Sequence, residues 1–136
     1  MRLAQVTLLV DDYDQALGFY VGVLGFGIVE DRPMSAHKRW VVVRPPGETG
    51  GADLLLARAA TDEQRAQFGA QAGGRVAFFL TTDDFDAEHA RLLRAGVRFR
   101  EAPRREAYGT VAVFEDLHGN RWDLLEPTDR SGTLGA

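Results

Sequence analysis

Cysteine is absent from this chain of 136 residues. Its absence excludes disulfides, thiolate metal sites and cysteine nucleophiles, and it suits a cytoplasmic protein. Positive charge is in deficit: 16 Lys and Arg stand against 20 Asp and Glu, for a net charge of −4 and a pI near 5.3. A nucleic-acid partner wants a basic surface, so none is expected. Long hydrophobic runs are missing as well. The opening MRLAQVTLLVDD is apolar only briefly before Asp11 and Asp12, and it reads as neither signal peptide nor membrane span. The stretch TDRSGTLGA (128–136) lacks apolar periodicity and reads as a frayed tail. What remains, 45% hydrophobic and 26% charged, is the composition of one soluble globular domain. At this length folding buries roughly two-thirds of the unfolded surface, enough for a proper core.

The chain carries one pattern twice. Val6 to Val10 is a short apolar strand ending at Asp11-Asp12, and Asp12 with Gln15 makes a helix N-cap. Tyr13, Ala16, Leu17, Tyr20 and Leu24 recur at helical spacing until Gly25 closes the helix. Gly18 and Gly22 lie inside it, which predicts close backbone approach to a sheet. FGIVED, RWVVVR and ADLLLA follow as strands, the last two separated by the loop PPGETGG.

The second half repeats this order: strand RVAFFL, cap at Asp83-Asp84, helix Phe85 to Ala95 closed by Gly96, then VRFRE, GTVAVFED and RWDLLE. Gly25 and Gly96, like Asp12 and Asp83, lie 71 residues apart. This is a duplicated βαβββ unit. Module one spans 3–58, a linker with a short helix near 61–68 spans 59–73, and module two spans 74–127. The expected fold is α+β within a single domain, 1–127. Eight strands form a curved mixed sheet, helices lie outside, and a concave cup within is the default ligand site.

Two such modules, with VDDYDQALGFYVGVLGF (10–26) and FEDLHGNRWDLLEP (114–127), resemble the vicinal oxygen chelate superfamily. That superfamily includes glyoxalase I, extradiol dioxygenases, fosfomycin-resistance enzymes and bleomycin-binding resistance proteins. The likeness covers Leu3 to Pro127, and its helix and turn motifs are specific to the fold rather than to one activity. By resemblance, a homodimer is expected.

The resemblance also implies four metal-ligand positions, which fall here on Gln5, Leu55, Val76 and Asp123. Leucine and valine carry no donor atom, and a catalytic divalent site needs about three protein ligands. The three histidines offer little rescue, because His37 reads as loop, His89 as helix and His118 as turn. No cofactor is therefore expected. A divalent metal on Gln5 and Asp123 is the minority alternative.

Strand alternation extends these four positions into a cup lining. Gln5 brings Thr7 and Leu9, Leu55 brings Asp53, and Val76 brings Phe78 and Leu80. Asp123 brings Arg121 and Leu125, and Val111 and Val113 face the same way. Val6, Leu8, Val10, Trp122, Leu124 and Phe114 are left for the core. Trp40 faces either way, and Tyr108 stands at the rim. Lys38 and Arg39 are read as solvated cations, with an anionic ligand group as the alternative, and Arg104-Arg105 as a solvated edge that discourages strand pairing.

Such a cup suits a small, largely apolar molecule with one polar handle. The functional expectation is a metal-independent small-molecule binder. The alternatives are a lyase or isomerase using Asp123 as base, a metal-dependent glyoxalase-like or dioxygenase-related enzyme, and an interaction module with a degenerate pocket. Gln5, Arg121 or water would satisfy the Asp123 carboxylate.

Overall fold

The helix signals act where the sequence places them. In the computed structural model, which describes residues 1–47 and 50–128, Asp12 accepts a hydrogen bond from the Gln15 amide at 2.8 Å and opens α1 (Tyr13–Leu17). Thr61 caps the short α2 (Asp62–Arg65) by accepting from the Gln64 amide at 3.1 Å. Asp84 accepts from Ala87 at 3.1 Å and opens α3 (Phe85–Arg94). In each case a side-chain oxygen serves an N–H group that the first turn leaves without a carbonyl. Gly25 and Gly96 take φ values of 83° and 87°, the left-handed closing conformation that glycine adopts without a Cβ penalty.

The first helix departs from expectation in its second half. It continues as a π-helix over Gly18–Val23, with the Leu24 amide donating to the Phe19 carbonyl at 2.9 Å. A Cβ added at Gly18 or Gly22 would meet nothing within 4 Å, so the close approach to a sheet is not there. The wider turn instead carries both glycines on its exposed side while Tyr20 and Leu24 are buried.

The chain divides into two compact units, Met1–Phe68 and Gly69–Ala136. In the first, β1 (Gln5–Val10), β2 (Gly27–Pro33), β3 (Arg39–Arg44) and β4 (Asp53–Arg58) pair in the order β1-β4-β3-β2. β1 runs parallel to β4 and the other pairs are antiparallel. Leu8, Val10, Val41, Val43, Leu54 and Leu56 occupy one face and are buried. α1 contributes Tyr13 and Ala16 to the same core, and the Tyr13 hydroxyl accepts from the Arg39 amide at 3.2 Å.

The second unit repeats the arrangement. β5 (Val76–Thr81), β6 (Arg98–Phe99), β8 (Gly109–Glu115) and β9 (Arg121–Pro127) pair in the order β5-β9-β8-β6. One further strand, β7 (Arg104–Glu106), also pairs with β8. Nine strands in two mixed sheets and three α-helices are thus present among the described residues. Arg104 and Arg105 lie on β7, which is exposed along its length and pairs with β8 alone among the described strands, and Arg104 bridges Glu101 at 2.6 Å and Glu106 at 2.7 Å. The tail lies outside the described residues except Thr128, whose amide donates to the Tyr108 carbonyl.

A register shift in β5 decides which side chains share a face. Val76 pairs with Arg121, the ladder then slips, and Phe78, Phe79 and Leu80 pair with Trp122, Asp123 and Leu124. A bulge inserts one residue and reverses the alternation beyond it. Phe78 and Leu80 therefore stand with Trp122 on the α3 side, which corrects their assignment to the ligand face. Their row is an aromatic stack, with Phe78 to Trp122 at 4.5 Å, Trp122 to Phe114 at 5.9 Å and Phe114 to Phe99 at 5.6 Å between centroids. His89 continues it between Phe99 and Phe85, so that histidine belongs to this packing.

The turn before β9 is organised by Asp116. This buried carboxylate accepts from the amides of His118 and Asn120, from the Asn120 side chain, and from Trp122 Nε1. Gly119, at φ 86°, closes the turn between them. The FEDLHGN motif is thus explained by folding alone. Its acid and amide hold the turn that starts β9, and β9 carries Asp123.

Candidate functional site

Asp123 sits in the middle of β9 on the face turned away from Trp122. Directly opposite it are Val113 on β8 and Phe79 on β5. Arg121, Leu125, Val111 and Val76 share that face by register. Asp123 is only 8% exposed, Val111 and Leu125 are buried, and Phe79 stands 55% exposed. An open aromatic ring therefore lies one strand from a buried carboxylate. Phe79 was missed from the sequence because no glycine or proline marks the bulge that turns it there.

Three carboxylates are buried among the described residues, and they differ in how they are satisfied. Asp53 is held by Arg44, whose Nε and Nη2 donate to its two oxygens at 2.8 and 3.0 Å. The guanidinium lowers the Asp53 pKa from the ordinary carboxylate value. Asp116 has the donors of its turn. Asp123 has neither, and its Oδ1 is buried with no hydrogen-bond partner. A buried acceptor in that state costs about 1–3 kcal/mol.

Arg121 does not supply the missing bond; its Nη1 donates to the Gly74 carbonyl at 2.9 Å instead. Burial raises the Asp123 pKa above the ordinary carboxylate value. Arg104 opposes that shift and Glu101 adds to it. Arg104 is itself held by Glu101 and Glu106, and Tyr108 lies at the β7–β8 turn.

The first unit presents a separate face. Gln5, Thr7 and Leu9 share it with Asp53, Leu55 and Ala57 through the parallel β1–β4 register. Leu55 pairs with Val42 on β3, which puts Trp40 on the same face and settles an orientation that alternation alone left open. Arg32 lies over the Trp40 ring at 6.0 Å. Arg39 points to the other side, where it bridges Asp14 and Asp31, each at 2.8 Å, so it is not free for an anionic ligand.

The four positions that the resemblance implies for a metal are only half furnished with donor atoms. Leu55 and Val76 present hydrocarbon at two of the four implied positions, leaving Gln5 and Asp123 as oxygen donors. Among the described residues no three His, Cys, Asp or Glu side chains gather in one place. A catalytic divalent site asks for about three protein ligands.

Comparison with known proteins agrees with this architecture. The family model described as glyoxalase/bleomycin resistance protein/dioxygenase superfamily matches residues 2–124. An uncharacterized protein of Shewanella frigidimarina is 50% identical over 94% of this chain and 95% of its own length. The crystal structure of UcmS2 superposes with a TM-score of 0.79 at 30% identity, covering 92% of this chain and 97% of that one. TnmS3, an antibiotic binding protein from Streptomyces sp. CB03234, gives 0.75 at 30% identity, with 94% and 97% covered. The duplicated βαβββ units and the match along nearly the whole chain establish that this protein belongs to the glyoxalase/bleomycin resistance protein/dioxygenase superfamily.

Proposed function

We propose that this protein binds a small, largely apolar molecule without a metal, on the Asp123 face of its second sheet. The observation that carries this reading is the buried Asp123 oxygen left without a partner beside an exposed Phe79. Val113 and the exposed Phe79 ring flank that oxygen with hydrocarbon on the two neighbouring strands, and an apolar wall with a placed polar atom is the usual make-up of a small-molecule site. Binding needs only a complementary surface, and the antibiotic binding protein among its structural neighbours supports the same use of this fold. Leu55 and Val76 support the absence of a metal.

We further propose a cytoplasmic homodimer. No helix among the described residues is long and apolar enough to cross a membrane. β2 ends its sheet with Ile28 and Val29 exposed, an edge suited to a second copy. Sedimentation showing only monomer at micromolar concentration removes the dimer.

A thermal-shift screen over small apolar and aromatic molecules, run with and without chelator, tests the main reading. A ligand at 100 times its Kd adds about 2.7 kcal/mol of stability, and the shift should survive the chelator. One tightly held metal per chain, lost in Asp123→Ala, overturns the metal-free reading. A catalytic reading is favoured by one observation, the raised Asp123 pKa, which suits a general base. Turnover of methylglyoxal–thiol adducts that disappears in Asp123→Asn would establish it in place of simple binding.

A further inference from the structure

We infer that Asp123 selects, among apolar ligands, those carrying a hydroxyl or amino hydrogen-bond donor on an aromatic ring, and that Phe79 and Val113 contact that ring. This rests on the binding reading above and goes further by assigning the ligand's polar group and the residues that choose it.

The contrast among the three buried acids points there. Asp53 has Arg44 and Asp116 has the donors of its turn, whereas the Asp123 Oδ1 has no partner. Arg121, on the same strand and face, is bonded to the Gly74 carbonyl, and Arg104, whose charge acts on Asp123, is bonded to Glu101 and Glu106. An acceptor that the fold buries without a partner is one that a ligand donor can satisfy, and a site built around it rejects an analogue lacking the donor. The flanking residues define the rest of the ligand. Phe79 and Val113 lie directly across from Asp123 on the two neighbouring strands, and the Phe79 ring is more than half exposed. An aromatic ring seated on Phe79 with its substituent toward β9 meets both demands at once. Both cross-strand neighbours in that row, Val113 and Phe79, are hydrocarbon.

Isothermal titration of the full chain with naphthalene, 2-methoxynaphthalene and 2-naphthol tests this. Wild type should bind 2-naphthol roughly tenfold or more tighter than the methyl ether, which keeps the oxygen but donates nothing. In Asp123→Ala that preference should vanish while the ether binds at least as well as before. Asp123→Val serves as the second variant should the alanine form fail to fold. Phe79→Ala should weaken all three probes alike. Equal affinity for 2-naphthol and its ether in wild type overturns this inference and leaves the binding reading standing. A preference that persists in both Asp123 variants overturns it too. No binding by any probe up to its solubility overturns both.

Discussion

Replacing Asp123 by valine should make the protein more stable. The native side chain is a carboxylate, 8% exposed, with Oδ1 unpartnered. An unsatisfied buried polar group costs about 1–3 kcal/mol. Valine removes that cost, suits a strand, and faces Val113 directly across the ladder. The expected gain is about 1–3 kcal/mol, which for a chain of this length corresponds to roughly 3 °C or more in Tm. Urea unfolding followed by tryptophan fluorescence should show a higher midpoint at unchanged slope.

The pH dependence supplies an independent check. The folded Asp123 pKa is raised, above an unfolded value of about 3.9, so the native state binds the proton more tightly. Below the unfolded value the group is protonated in both states and its charge penalty vanishes. The penalty grows as pH rises through the folded pKa and is complete above it. The advantage of Asp123→Val should therefore be larger at pH 7 than near pH 4. Asp53 titrates with the opposite sign, its Arg44 contribution being lost as pH falls, but it is common to both proteins and cancels in the difference. A variant less stable than wild type at pH 7 would refute the reasoning, because it would mean that the carboxylate has a native partner.

Three further outcomes follow from the faces of the second sheet. Phe78→Ala should cost about 3–5 kcal/mol, since it removes a ring packed on Trp122, whereas Phe79→Ala should leave the urea midpoint nearly unchanged and lower ligand affinity. Reversed results would place the β5 alternation back where the unbulged strand has it. Asp116→Ala should lose about 2–4 kcal/mol, because the buried donors of Asn120 and Trp122 are then unsatisfied, and a midpoint within error of wild type would contradict that role. Trp122→Ala should destabilise by about 3–5 kcal/mol in the same assay. Abolished ligand binding at intact stability would instead move Trp122 to the ligand face.

Much of this architecture was legible in the chain, because the relevant physics is local. Asp12, Thr61 and Asp84 cap helices through side-chain oxygens only three residues from the amides they serve. The 71-residue spacing of Gly25 and Gly96 marked the duplication, because both must take the same left-handed turn. Alternation also put Leu8, Val10, Trp122 and Leu124 in the core, with Asp123 facing away from Trp122 and Leu124, since period two holds wherever the ladder is regular. It failed at Phe78 and Leu80, where β5 slips against β9 and no residue type announces the slip. Trp40 needed the β3–β4 register, and the strand at Arg104 shows only in its pairing with β8. The satisfaction of the acids was out of reach for the same reason. Arg44 meets Asp53 and Arg121 turns to Gly74 through pairings between strands, and only tertiary structure decides which charge finds a partner and which, like Asp123, is left without one.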